Sequence, residues 1–502
     1  MRTIPSRARV LLLVALLAGG CAVGPDFVRP AAPSLTSYET EPVSLPAPGE
    51  PNPTQRFIAD GIARQWWQLF QSPELNDVLA LAIADSPTLV SARATLAQAE
   101  EVVIVARAAY YPQVDLAATG SWTNARSLRG GSSRAVFASG GSSLTTSMFN
   151  IGPALTYTPD VFGHTRRFVE QQTALAENQV QQLAAAYLTL TASTLLQALT
   201  IASTEAQIKA VNDIIAADEH NLELVRISFA AGSVARTDVL SAESQLAGDR
   251  TLLPPLLQQL SVARHALSVL VGQLPASWVP PDFELTEFTL PEALPVTLPS
   301  ALVRRRPDIL ASESQLHAAS AAIGVATAQL YPNINLTATF TYESNHIGEL
   351  LAGPAYSLGA QLLAPIFHGG ALSAQKQAAV EAFNAALANY RQTVLTGFGQ
   401  VADTLEALQH DHEEVEAQRR ALESSEANLK LTQTTYSFGN VGILQVLDAQ
   451  RLAEQARLGY VRAQAQRYLD TVQLFTALGG GWWEWRGAPA QAAITPVKAT
   501  AQ

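Results

Sequence analysis

Phe229-Ala-Ala-Gly232 returns 207 positions later as Tyr436-Ser-Phe-Gly439, and Val239-Leu240-Ser-Ala242-Glu243 returns as Val446-Leu447-Asp-Ala449-Gln450. Upstream of each copy an apolar residue or threonine recurs at every seventh position. The first run reads Tyr187, Thr194, Ile201, Ile208, Ile215, Leu222, Phe229; the second reads Val394, Val401, Leu408, Val415, Leu422, Leu429, Tyr436. A strict seven-residue spacing brings the same side round every two helical turns, so each run is predicted to be one long helix. Each is followed by a glycine turn and a further helix. The chain is therefore read as two copies of a long helical hairpin, a tandem repeat.

The repeat extends to the stretches before each hairpin. Pro73 to Tyr110 has helical character with a break near Ser86-Pro87, since proline disfavours helix in the residue before it. The period then drops from about 3.6 to 2. Val114, Leu116, Ala118 and Trp122 alternate with smaller or polar residues, and after a Gly/Ser-rich loop the alternation resumes in Phe149, Ile151, Leu155 and Tyr157. The second copy has Ile334, Leu336, Ala338, Phe340 and Tyr342, then Tyr356, Leu358, Ala360 and Leu362. Four strands are predicted, at about 112–125, 147–158, 332–345 and 355–366.

A tilted strand of about ten residues is long enough to cross a bilayer. A soluble amphipathic strand also alternates, but small uncharged inward residues and Gly/Ser-capped hairpins favour the membrane. Four strands cannot close a barrel, and open edges in lipid are costly, so spanning requires several chains to pool their strands. Three chains would supply twelve strands.

His164 to Phe229 as one helix would run roughly 100 Å, which suits a conduit better than a pocket. Asn178 to Thr204 carries no charge, yet its many Thr, Ser and Gln residues favour a helix packed on both sides over a membrane span. Pro254-Pro255 must interrupt the helix returning after Asp238; the second copy has no proline there.

Arg2, Arg7 and Arg9, the apolar run Val10 to Leu17 and the small residues Ala18-Gly19-Gly20 form a signal peptide over 1–20. Cys21, the single cysteine of the chain, stands at the cleavage point, and Ala18-Gly-Gly-Cys21 resembles a bacterial lipobox. Lipid on Cys21 would anchor residues 21–65, whose many prolines predict an extended strap. Ala22 after the cysteine fits the outer-membrane sorting pattern of bacterial lipoproteins. The formal charge of −11 becomes more negative once three signal-peptide arginines are removed, which argues against a nucleic-acid partner. The first repeat is placed at 66–290 with its hairpin at about 163–272, and the second at 291–481 with its hairpin at about 369–479. Residues 482–502 form a partly disordered tail.

Five segments together resemble one family. They are Cys21-Ala-Val-Gly24-Pro25-Asp26-Phe27, Trp66-Trp67-Gln-Leu-Phe70, Asp160-Val-Phe162-Gly163, Arg306-Pro307-Asp308-Ile309 followed by Ala321-Ala-Ile323-Gly324, and Tyr436 to Arg451. In this order they resemble the outer-membrane factors of tripartite efflux and secretion systems, the TolC-like channels, and most of all their OprM/NodT-type lipoprotein branch. The resemblance implies a mainly α protein with membrane β: a homotrimer with a twelve-stranded outer-membrane barrel continued by a periplasmic α-helical barrel. It implies a periplasmic adaptor and an inner-membrane pump of RND type as partners, outer-membrane lipid around the barrel, and a passive role exporting substrates such as drugs. It also places Leu444, Gln445 and Asp448 around the closed periplasmic aperture. Phe229, Gly232, Arg236, Asp238, Tyr436, Gly439 and Arg451 fall at tip positions that latch coils or meet the adaptor, with Arg236 placed to bond to a neighbouring hairpin.

Other readings stand beside these. Asp238 and Asp448 in the first turns of helices are also what ordinary dipole-favoured capping produces. His410 and His412 are two apart on a helix, point to opposite faces and cannot readily share a metal. No nucleophile elbow, P-loop or zinc motif appears, so no enzyme chemistry and no cofactor beyond the Cys21 lipid is expected. The rival functions are a type I protein secretion or metal-ion efflux channel, and a non-conducting coiled-coil stalk.

Overall fold

The computed structural model describes residues 22–35, 37, 38, 55–58, 62, 63, 65–125, 144–351 and 353–481. Cys21, the signal peptide, most of the strap, the Gly/Ser loop after Ala125 and the C-terminal tail lie outside these. In chain order the main elements are β1 (Arg56–Ile58), α1 (Pro73–Asp85), α2 (Pro87–Ala108), β2 (Gln113–Ala125), β3 (Leu144–Tyr157), α3 (His164–Ala230), α4 (Arg236–Arg250), α5 (Leu253–Val271), β4 (Ala293–Pro295), α6 (Pro307–Ala328), β5 (Asn333–Ser344), β6 (Pro354–Leu363), α7 (Ala371–Ser437) and α8 (Ile443–Ala477). Ser86 separates α1 from α2, and the Pro254-Pro255 pair falls in the first turn of α5, where a missing N–H costs nothing. The equivalent helix of the second copy, α8, runs unbroken for 35 residues.

The chain divides into two compact units. Among the described residues, the first holds those of 22–29, 98–176 and 314–388. Its centre is a four-stranded antiparallel sheet in the order β2-β3-β5-β6, so the two repeats join through β3 and β5. The register makes the alternation coherent across all four strands. Val114, Leu155, Ala338 and Leu358 form one cross-strand row; Asp115, Ala154, Thr339 and Ser357 form the next, on the opposite face. One face is thus apolar, and on the outer strands it is bare: Leu116, Trp122, Tyr356 and Leu358 are each more than 70% exposed.

Where strand gives way to helix, the Asp160 carboxylate accepts from the N–H groups of Thr165 and Arg166, at 3.0 and 2.8 Å, and so caps α3. The segment after Cys21 docks here. Buried Arg167 donates to the carbonyls of Val23 (3.2 Å) and Gly24 (3.4 Å) and pairs with Asp26 (2.7 Å) and Glu170 (2.8 Å). Phe27 stacks on His317, whose ring meets Glu170 at 3.1 Å. Gly24, at φ +96°, lies so close to Gly324 that a Cβ would stand 2.5 Å from its Cα. Two glycines far apart in sequence are fixed by one close approach.

The second unit holds the described residues of 30–97, 177–313 and 389–481. Trp66 stacks on Phe475 with centroids 5.0 Å apart, and Leu79, Leu195, Leu199, Leu267 and Leu302 are all fully buried in the same core. The charge-free stretch of α3 is therefore mostly interior. Arg306 ties the helices together, donating to the C-terminal carbonyl of α8 at Ala477 (2.8 Å), to Gly397 (3.4 Å) and to Gln400. The strap contributes β1, which pairs in parallel with β4; the sequence showed it only as extended chain.

Asp411 of α7 is buried opposite Asp470 of α8, and its Oδ2 meets no donor among the described residues. Burial first, then Asp470 and Glu414, push it up to about 8 from 3.8, against the opposing charge of Arg467. A raised folded pKa means the native chain holds a proton that the unfolded chain has released. Its stabilisation is complete below pH 4 and is lost as pH rises through about 8. The apparent melting temperature should fall between pH 5 and 8.5, and Asp411→Asn should flatten that fall, gaining about 1–3 kcal/mol at the alkaline end. Equal pH profiles for the two proteins would refute the assignment.

Candidate functional site

The tips of the two hairpins bring together the residues singled out in the repeat. At the end of α3 the N–H of Gly232 (φ +76°) donates to Phe229 O at 2.9 Å and that of Ser233 to Ser228 O at 3.0 Å. At the end of α7 Gly439 (φ +72°) donates to Tyr436 O at 2.8 Å and Asn440 to Thr435 O at 3.1 Å. Both are Schellman closures. Among the described residues nothing lies within 4 Å of where either Cβ would be, so glycine is required by the backbone angle and not by crowding.

Beneath the turns Leu222, Val225, Val239, Ala242, Leu246, Ile443, Val446 and Leu447 form a small apolar core to which both hairpins contribute, with Tyr436 packed at its margin. This core fixes the rotation of α8. Ile443, Val446 and Leu447 face inward, which turns Leu444, Gln445 and Asp448 outward; Leu444 is 52% exposed. Residues 444 and 448 are one turn apart and share that outer face.

The charged tip residues find partners within the chain. Arg451 meets Asp448 at 2.7 Å on the same helix, an exposed pair of small energetic weight. Arg236 lies over the Phe229 ring with its guanidinium carbon 6.0 Å from the centroid. Asp238 accepts from Ala235 N at 2.9 Å and so caps α4. Farther up the second hairpin His410 is exposed between Glu406 and Glu413 while His412 is buried, on opposite sides of the helix. Sequence reasoning missed the role of Gln450. It is 4% exposed, its amide donates to Asp218 and Glu454, and its carbonyl accepts from Asn221. Nothing local marks it, because its partners lie on another helix or a turn away.

An antiparallel sheet with one bare apolar face and long helical hairpins ending in glycine-closed tips describe a membrane channel subunit. The sequence profile of the family described as outer membrane efflux protein matches residues 78–273 and 298–480. The pyoverdine export outer membrane protein OpmQ of Pseudomonas aeruginosa is 31% identical over 453 residues, covering 88% of this chain and 94% of that protein. The toluene efflux pump outer membrane protein TtgC of Pseudomonas putida is 29% identical, covering 97% and 98%. The solved outer-membrane channel OprN superposes with a TM-score of 0.82 at 26% identity, covering 92% of this chain and all of that one. The chain belongs to the outer membrane efflux protein family. It has the fold of the TolC-like channels and serves as an efflux channel of the outer membrane.

Proposed function

We propose that three copies of this chain close a twelve-stranded barrel, that lipid on Cys21 anchors each copy, and that a periplasmic adaptor coupled to an RND-type inner-membrane pump opens the tips. The sheet carries this reading. Its apolar face is in register across four strands, and β2 and β6 are each paired on one side only among the described residues. Unpaired strand edges cannot persist in hydrocarbon, so β6 of one copy pairing with β2 of the next is the economical closure.

The docking of Ala22 to Asp26 onto the strand–helix turn supports the lipid anchor. It holds residue 22 against Gly163, close below the strands. At the tips, three outward faces of Leu444, Gln445 and Asp448 would meet on the axis, an apolar ring beside an anionic one. Phe229, Gly232, Arg236, Asp238, Tyr436, Gly439 and Arg451 would present the surface the adaptor grips. Opening is a shift between two packings of the tip helices, driven by adaptor contacts. The duct itself is passive and supplies no energy. Pyoverdine and toluene, the cargoes in the names of two relatives, point to small organic molecules as the substrate class.

Purified from membranes, the protein should have the cross-linked mass of three chains, a subunit mass carrying acyl groups on Cys21, and a small cation-preferring conductance in planar bilayers. A monomer, or a trimer that passes no current, would end the channel reading. An unmodified subunit mass would remove only the anchor.

A further inference from the structure

Behind the tips, three acids from three helices converge: Asp218 of α3, Asp249 of α4 and Glu454 of α8, with one carboxylate oxygen of each within 4.8 Å of the others. Asp218 is 3% exposed. Its Oδ1 accepts from Gln450 Nε2 at 2.8 Å, while its Oδ2 is closed off from solvent and meets no donor among the described residues. The same Gln450 amide donates to Glu454 Oε1 at 2.8 Å, and Gln245 Nε2 donates to Asp249 Oδ2 at 2.6 Å. Glutamine amides thus orient one oxygen of each acid, and amides carry no charge to balance three carboxylates. Arg250 pairs with Glu219, and Arg457 pairs with Glu426 while its charge only partly offsets what burial and Asp249 do to Glu454. A buried oxygen without a donor, in the company of two more acids, is unfavourable unless something positive sits among them.

We propose that Asp218, Asp249 and Glu454 bind a hard divalent cation, Ca²⁺ or Mg²⁺, that clips the two hairpins of one chain together behind the tip. The donor set is all oxygen, without histidine or cysteine, which selects the hard cations over zinc and copper. Asp218 and Asp249 belong to the first hairpin and Glu454 to the second. A bound ion therefore spans the same boundary as the apolar core under the turns, and it holds the helix that carries Leu444 and Asp448. The rival occupant is a proton: with no counter-ion, burial together with Asp249 and Glu454 raises Asp218 to about 8.

The cation-dependent shift in apparent melting temperature of the full-length protein in detergent, in EDTA against millimolar CaCl₂ or MgCl₂, decides between them. We expect a rise of several degrees and about one ion per chain by equilibrium dialysis. Asp218→Asn and Glu454→Gln should both abolish the shift while melting in EDTA no lower than the wild type, because each removes a like charge. Asp213→Asn, an exposed acid of α3 outside the cluster, should keep it. No shift in the wild type, or an equal shift in the two cluster variants, would overturn the site. A wild type that ignores both cations while Asp218→Asn melts higher in EDTA would mean a shared proton, and that also overturns it. The readout is binding and not current, so its failure is distinct from failure of the channel reading.

Discussion

Channels formed by the Asp448→Ala, Leu444→Ala double variant are expected to pass about tenfold more current than the wild type. The two side chains share the outward face of α8, because Ile443, Val446 and Leu447 hold the opposite face in the tip core. In the proposed trimer three leucines form a ring that resists wetting, and three carboxylates form one that attracts cations. Truncating both widens the ring and removes its selectivity, so the larger current should also lose its preference for cations. Removal of Asp448 frees Arg451 as well, since the pair lies on one helix. Leu447→Ala, from the buried face, should destabilise the tip without the same change in selectivity. Equal wild-type and double-variant currents would discard these residues as the gate and leave the channel standing.

Trp66→Ala is expected to cost about 3–5 kcal/mol, the largest loss from a single truncation in the second unit. The ring is 1% exposed, stacks on Phe475 at 5.0 Å and meets Trp67 and Phe70 edge-on at 6.2 and 6.5 Å. It joins the end of the strap to the last turns of α8, so its removal leaves a cavity between that segment and α8. Trp66→Phe keeps a stacking partner for Phe475 and should cost about half as much. Protease resistance and apparent melting temperature of the purified protein check both. Wild-type stability in Trp66→Ala would show that the strap junction contributes little to the fold.

Much of this was legible in the sequence because it is local. The heptads, the break at Ser86-Pro87, the alternating strands and the tip glycines each depend on a few consecutive residues, and the structure places helices, strands and left-handed turns at them. The strand limits differ by up to three residues, as at Leu144, because an end is set by its partner's register and not by its own pattern. The β1–β4 pair was invisible, since three residues on each side hold no period. The five family segments were readable as motifs, but their reasons were not. Asp160 serves as a cap, Arg306 ties three helices, and Gly24 meets Gly324 across 300 positions of chain.

The tips divide in the same way. The family resemblance pointed to Leu444, Gln445 and Asp448, but only the packing of Val446 and Leu447 into the core with Val225 and Val239 turned them outward. Arg236 and Arg451 were readable as charges, while the partners they take, the Phe229 ring and Asp448, depend on side-chain reach. The sequence by itself determined the duplication, the helix and strand types and the turns, because backbone preference and hydrophobic period act over neighbours. The tertiary structure alone decided which face of each helix is buried, how the sheet joins the two repeats, and that Asp218, Asp249 and Glu454 meet. Such meetings are products of packing between helices, and no spacing along the chain encodes them.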